Sequence, residues 1–315
     1  MKKIVVIGEI LVEIMADTPG DGFREPIPLT GPFPSGAPAI FAGQAARLGQ
    51  PVAIVSAVGD DDFGRVNTDR LARDGVDISA IAVDPDRPTG TAFVRYRPDG
   101  GRDFVFNIRH AACGRIPMSD AVRKVLDAAE HLHVMGSSLS SPELIALNLE
   151  TAAAVRGRGG TVSFDPNLRP EILDAPGLRD AMERVLALTD LYLPSGDELT
   201  LLTRAQHPED AVRELLADGI RTVVHKQGAA GARHHDTGGS LWCPAFPVDE
   251  IDPTGAGDCF GATFAALWLR GAAPAEALAL AAAAGAMAVT RRGPMEGVSD
   301  LASLHALAGP HRGAS

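Results

Sequence analysis

The sequence predicts an α/β fold, a mostly parallel central sheet flanked by helices with a small β flap, and three observations predict it. Short β-branched runs alternate with Ala-, Leu- and Arg-rich stretches of helical period, the pattern of parallel strands joined by crossover helices. Several of the runs are apolar at every position, as strands covered on both faces are. Residues 89–108 alternate apolar and polar positions around Pro98-Asp99-Gly100-Gly101, a hairpin pattern outside the main sheet.

In chain order, strands are predicted at Ile4 to Gly8, Val52 to Val58, Leu132 to Met135, Thr161 to Asp165, Leu191 to Leu193 and Thr222 to His225. Helices are predicted between them, at Ala37 to Leu48, Phe63 to Asp74, Pro142 to Val155 and Pro208 to Ala217, with Gly49 and Gly75 where a helix C-terminus favours positive φ. Residues 10–34, rich in Pro and Gly, read as an irregular loop with short extended pieces. With 89–110 they form the predicted flap. The tail from Pro310 reads as frayed. No linker or internal repeat divides the chain, so one domain over 1–315 is expected.

Composition narrows the function classes. The 315 residues are 45% hydrophobic and 22% charged, which excludes fibrous and disordered readings. A net charge of −11 provides no basic field for a phosphate backbone, so nucleic acid is not an expected partner. Cys113, Cys243 and Cys259 are too few and scattered for a disulfide framework, which fits a cytoplasmic protein. The longest uncharged apolar stretch, Ala277 to Val289, is short of the roughly 20 residues that span a bilayer, so no membrane association is expected. His234, His235 and Asp236 lack a third ligand at metal-like spacing and read as part of a hairpin turn. His131 and His133 read as packed or edge strand histidines.

The strongest chemical signal is Asp252-Pro253-Thr254-Gly255-Ala256-Gly257-Asp258 ahead of a small-residue apolar helix. Small residues leave the backbone N–H groups of 255–258 open at the positive end of that helix, which suits an anion. Asp258 stands at the same helix start, a base within reach of that anion. A Gly-rich turn with Asp as a first-turn helix carboxylate explains the same residues without chemistry. A dinucleotide oxidoreductase is discounted, because Gly8-Glu9-Ile10 after the first strand carries no G-x-G-x-x-G fingerprint.

Gly255 to Asp258, with Asp252 and Thr254 before them, resemble the C-terminal signature of the ribokinase-like (pfkB) carbohydrate kinases. Ser35-Gly36-Ala37-Pro38-Ala39 through Leu48-Gly49, followed by Gly59-Asp60-Asp61-x-x-Gly64, resemble the N-terminal one. The resemblance runs from Ile4 to about Pro294. It implies a ribokinase-like fold and transfer of the ATP γ-phosphoryl to a sugar hydroxyl, with Asp258 as base and the amides of Gly255, Ala256 and Gly257 as anion hole. Such transfer is accelerated mainly by positioning and charge neutralisation, so Cys259 needs no role as nucleophile.

Further residues follow from the resemblance. Asp165-Pro166-Asn167-Leu168-Arg169 is similar to a segment whose Arg contacts phosphate; a strand-terminating turn is the alternative. Glu198 matches a Glu that organises Mg²⁺, while Ser195-x-x-Glu198 is also a capping box. Lys226, Gly228 and Gly231, with Thr254, resemble nucleotide-binding positions. A monovalent cation is implied near Asp252, and the flap is a candidate surface for a homodimer.

At the sugar end Glu9, Ser35, Gly36 and Arg109 are the substrate candidates. Ser35 stands for a usual Gly, and Ile40 for an Asn that hydrogen-bonds sugar hydroxyls. Similarity through Gly8 to Ile14, Pro34 to Ala42 and Phe93 to His110 is greatest to ketohexose kinases of the tagatose and fructose kind. A 2-keto-3-deoxygluconate kinase is the alternative, since Arg109, Arg95 or Arg97 could meet a carboxylate. A non-catalytic sugar- or nucleotide-binding regulator is the reading from another class, and intact Asp258 argues against it.

Overall fold

The computed structural model describes residues 1–99, 101–168 and 177–309. In chain order the strands are β1 (Ile4–Ile7), β2 (Leu11–Ala16), β3 (Leu29–Ser35), β4 (Val52–Gly59), β5 (Ile81–Asp84), β6 (Gly90–Tyr96), β7 (Arg102–Asn107), β8 (His131–Met135), β9 (Thr161–Asp165), β10 (Leu191–Tyr192), β11 (Thr222–Lys226), β12 (Ala232–Asp236) and β13 (Gly239–Cys243). The helices are α1 (Ala37–Arg47), α2 (Asp62–Asp74), α3 (Asp120–Asp127), α4 (Pro142–Gly157), α5 (Leu178–Leu186), α6 (Glu198–Leu201), α7 (Pro208–Ala217), α8 (Ala256–Leu269), α9 (Pro274–Val289) and α10 (Leu301–Ala308).

Among the described residues the strands form a nine-stranded sheet, β13-β12-β11-β10-β9-β8-β1-β4-β5, and a four-stranded sheet, β3-β2-β6-β7. The large sheet is parallel from β11 to β5, and the β11–β12 and β12–β13 pairs are antiparallel. The strand order turns at β1, between β8 and β4, where open α/β sheets open a crevice at their carboxyl ends.

Alternation along the strands sends side chains to two cores. Ile4 and Val6 face a layer built with α1, α8, α9 and α10, whereas Val5 and Ile7 face one built with α3, α4, α5 and α7. Helix ends follow local chemistry. Asp61 caps α2 by accepting from Gly64 N–H at 2.8 Å, and it also accepts from Thr89 N–H and Oγ1 at 2.8 and 2.7 Å. Gly59-Asp60-Asp61 therefore ties the end of β4 to the start of β6. Gly49 and Gly75 both take the expected positive φ.

Residues 10–34 are more regular than the sequence suggested. They supply β2 and β3, and β2 pairs parallel with β6 and antiparallel with β3. The register of β2 and β3 shifts between Glu13 and Met15, and prolines interrupt β3; this irregularity hid both strands. The 89–108 hairpin is β6 and β7, as expected. His234 and His235 lie on β12, with the turn following at 237–238. His131 and His133 are fully buried central-strand residues. His131 bonds Thr161 Oγ1 at 2.8 Å and Ser163 Oγ at 2.7 Å, and His133 bonds Ser163 Oγ at 2.7 Å and stacks on Phe41 at 3.7 Å.

That polar ladder gives the fold an acid-sensitive point. Burial pushes His131 down to about 3 and His133 well below its ordinary value, so both stay neutral in the native state. A base whose folded pKa is depressed gives stability above its unfolded pKa, lost on acidification through the window from 6.5 toward 3. Each such histidine costs up to about 1.4 kcal/mol per pH unit within that window. Melting temperatures measured from pH 7 to pH 5 should fall, and His131→Leu should flatten that slope even if it lowers the melting temperature at pH 7. Equal slopes in both proteins would contradict the assignment.

Candidate active site

Helix α8 begins at Gly255, which takes φ 84, a conformation an L side chain adopts poorly. A Cβ there would stand 2.5 Å from the Pro294 carbonyl oxygen and 3.3 Å from Ile40 Cγ2. The loop before α8, the 293–295 turn and the first turn of α1 therefore close on one another. Gly257 is different: a Cβ there would meet only Lys226 Nζ, at 3.7 Å. No side chain caps α8, and the Ala256 N–H meets the Pro253 carbonyl at a long 3.4 Å, so the positive end of the helix stays available to an anion.

Asp258 is buried in this first turn and accepts from Asn167 Nδ2 at 3.1 Å. Asn167 holds a non-glycine left-handed φ of 41 just past β9, with its N–H on Asp165 Oδ1 at 3.1 Å. Strained backbone of this kind persists where its surroundings fix it, often at functional sites. Asp165 Oδ2 pairs with Lys226 Nζ at the end of β11, and both groups are buried. Glu198 accepts from Leu168 N–H at 2.8 Å and Ser195 N–H at 2.7 Å. Burial first, and the neighbouring Asp165 carboxylate second, push the Glu198 carboxyl up, against the pull of Lys226. The Glu arm of the expected capping box is thus present. Ser195 does not cap: Asp197 precedes α6, and the Ser195 carbonyl takes the Glu198 N–H.

Arg169 lies outside the described residues. Lys226, expected at the nucleotide, is here the buried partner of Asp165, and it also lines a cavity of about 490 Å³ with Ser195, Asp197, Thr200, Gln227 and Gly228. Gly228 and Gly231 have φ of 55 and 109 in the turn after β11, and a Cβ on Gly231 would meet the Cys243 carbonyl oxygen at 2.3 Å. Thr254 N–H donates to Asp252 Oδ1 at 3.0 Å, and Gly293 N–H to Oδ2 at 2.9 Å. Tyr96 adds its hydroxyl to Oδ1 at 2.6 Å. At the expected cation position, three of roughly four carboxylate lone-pair sites are thereby taken.

Three of the sugar-end candidates, Glu9, Ser35 and Gly36, gather where the two sheets meet; Arg109 does not join them. Glu9, just past β1, accepts from the Ser137 and Ser138 hydroxyls, both at 2.8 Å. Gly36, with φ 113, passes so close that a Cβ would meet the Glu9 carbonyl oxygen at 2.5 Å. Ser35 Oγ donates to Glu13 Oε1 at 3.0 Å. Arg109 is exposed beyond β7 and makes no ion pair among the described residues. Ile40 is buried against Gly255 and serves as packing for the loop.

Sequence reasoning missed Glu13, Asn167 and Tyr96. Period-two alternation along 11–16 would have turned Glu13 inward, and Asn after Asp-Pro is a residue that tolerates left-handed backbone. Nothing in the sequence marks Tyr96 as a partner of a residue 156 positions away.

Mg²⁺ takes oxygen ligands and keeps several waters. Both Glu198 oxygens already accept N–H groups, and the described residues contain no cluster of three or more His, Cys, Asp or Glu side chains fit to hold a metal. This donor set fits a Mg²⁺ carried by nucleotide phosphates and reached by Glu198 through water.

The chain is similar to known sugar kinases over nearly its whole length. The 2-dehydro-3-deoxygluconokinase of Thermoproteus tenax is 34% identical over 94% of this chain and 91% of its own. The fructokinase of Klebsiella pneumoniae is 34% identical over 93% and 95%. An E. coli protein named ribokinase II, solved with ATP and Mg²⁺, superposes with a TM-score of 0.92 at 47% identity, covering 98% of this chain and 99% of that one. The family model described as pfkB family carbohydrate kinase matches residues 1–301, and the chain, an ATP-dependent sugar phosphotransferase, belongs to that family.

Proposed function

We propose that the protein is one kinase unit that transfers the γ-phosphoryl of ATP to a hydroxyl of a ketohexose, of the fructose or tagatose kind, in the cytoplasm where ATP is supplied. The observation that carries the transfer reading is Asp258 in the uncapped first turn of α8, oriented by Asn167. Asp258 takes the proton of the sugar hydroxyl as its oxygen attacks the γ-phosphorus. The bond from that phosphorus to the β–γ bridging oxygen breaks, and ADP leaves. The amides of Gly255, Ala256 and Gly257 neutralise charge on the equatorial oxygens, and a Mg²⁺ held by the nucleotide together with Glu198 would add to that neutralisation. The nucleotide occupies the cavity bordered by Lys226 and Gly228, and Gly231 shapes its turn.

The choice of a neutral sugar rests on the two buried acids at the sheet junction. Glu9 and Glu13 place carboxyl groups where the sugar enters, and a carboxylate substrate would be repelled by both. Their oxygens suit hydroxyl donors, with Ser35 and Gly36 completing that wall. A keto-deoxy acid is the second reading, favoured by the exposed guanidinium of Arg109, which makes no ion pair among the described residues, and by the Thermoproteus relative. The outer face of the flap remains the surface we assign to a homodimer.

Assays of ADP release with fructose, tagatose, aldohexoses and 2-keto-3-deoxygluconate separate these readings. Fructose or tagatose should give the highest kcat/KM, and a tenfold or greater advantage for the keto-acid would overturn the substrate choice while leaving the kinase. Asp258→Asn should keep ATP affinity and cut kcat by about 10²- to 10⁴-fold, the range for loss of a general base. More than a tenth of wild-type kcat in the folded variant would remove the base from Asp258. Arg109→Ala should leave ketohexose kcat/KM within roughly tenfold, less than the loss of a charge-assisted hydrogen bond to a carboxylate would give. A loss nearer 100-fold would point to direct substrate contact.

A further inference from the structure

Two side chains of the small sheet reach the loop that leads into α8, and the transfer chemistry above does not use them. Tyr96, the last residue of β6, donates its hydroxyl to Asp252 Oδ1 at 2.6 Å. Arg102, its cross-strand partner at the start of β7, lies with Nη1 3.4 Å from Thr254 Oγ1. Nearby, Arg292 donates to Asp17 Oδ1 at 2.7 Å and to the Ala16 carbonyl at 3.2 Å, and a cleft of about 160 Å³ lies between these groups. The flap is thus fastened at polar points to both segments that frame the anion loop, 252–254 and 292–293.

Asp252 is the junction of these contacts. It is 1% exposed, and besides the Tyr96 hydroxyl it accepts the N–H of Thr254, one residue before Gly255, and the N–H of Gly293, one residue before the Pro294 carbonyl on which Gly255 packs. A shift of the Asp252 carboxylate therefore moves both walls of the turn that orients the Gly255–Asp258 amides. Among the described residues, the one donor to that carboxylate from outside these two segments is Tyr96, and it comes from the flap. Burial and the Asp252 carboxylate push the phenol above its ordinary value, so it remains a donor throughout any assay pH.

We propose that Tyr96 is a positioning residue whose hydroxyl transmits closure of the flap over the sugar to the anion loop, so that the Gly255–Asp258 amides reach transfer geometry only with the flap down. The proposal rests on the kinase reading. It makes the sugar and nucleotide sites energetically coupled through one hydrogen bond, in the sense that each ligand strengthens the other's binding. The strand itself does not need the hydroxyl, because β6 pairs with β2 and β7 through its backbone.

Tyr96→Phe tests this. In wild type, fructose or tagatose should tighten binding of a non-hydrolysable ATP analogue with Mg²⁺, measured by calorimetry. In Tyr96→Phe that tightening should vanish and kcat should fall about tenfold or more, as expected for loss of a hydrogen bond to a charged group, while the sugar dissociation constant without nucleotide stays within about twofold. In a double-mutant cycle, Asp252→Asn should add less to the kcat loss in the Tyr96→Phe background than it does alone. Retention of wild-type kcat and coupling in Tyr96→Phe overturns the proposal. So does a fall in melting temperature with equal losses in sugar affinity and kcat, the pattern of a merely structural contact. A wild-type enzyme inactive on every sugar in the panel would instead overturn the kinase reading, so the two failures are distinguishable.

Discussion

The site depends on a backbone-to-backbone approach that only glycine permits. At Gly255 the chain turns with positive φ into α8 while pressed against the Pro294 carbonyl and Ile40. A side chain there would separate α8 from α1 and from the 293–295 turn at once. Because the loop is packed against the 293–295 turn and α1 and tied to the flap through Tyr96 and Arg102, its N–H groups have little freedom to reorganise once the flap is down, which is the condition for electrostatic stabilisation during transfer. The rest of the site is arranged around that fixed end. Strands β1, β9 and β11 deliver Glu9, Asp165 with Asn167, and Lys226 at their carboxyl ends, β1 at the point where the strand order turns and β9 and β11 on its β8 side.

Two kinds of charge divide the crevice. At the ends of β9 and β11, the buried Lys226–Asp165 pair and Glu198 hold opposite charges close together; the Asn167 N–H on Asp165 offsets part of the pair's cost of burial, and Glu198 accepts the N–H groups of Leu168 and Ser195. At the junction of the two sheets, Glu9 and Glu13 accept serine hydroxyls. Ser35, in place of a small glycine, supplies one of those hydroxyls, and Ile40, in place of an amide, supports the anion loop. The two departures at the sugar end thus have separate physical purposes, one polar and one packing.

What could be read from the sequence follows from how local each signal is. The central strands were legible because burial on both faces makes them apolar throughout, and α2 because its helical period ends at Gly75, which takes positive φ; the caps at Asp61 and Ser141 came only with the structure. The loop before α8 was legible because closely spaced glycines are costly unless backbone geometry requires them. Strands β2 and β3 were hidden by prolines and a register shift. The partners of Asp165, Asp258 and Asp252 could not be read, since each arises from segments 61, 91 and 156 residues apart that only the sheet brings together. The same limit left His131 and His133 undecided between edge and core positions until β8 was placed between β1 and β9.

The central claim is that the first-turn amides of α8 receive the transferring phosphoryl group. Backbone ¹⁵N–¹H spectra recorded with ADP, aluminium fluoride, Mg²⁺ and fructose, set beside spectra with ADP and fructose alone, test it most directly. The planar fluoride stands for the phosphoryl group in flight, so the resonances of Gly255, Ala256, Gly257 and Asp258 should shift strongly downfield on its addition, as amides do when they donate to an anion. Resonances at 255–258 that stay in place, while those of another loop move, would contradict the account.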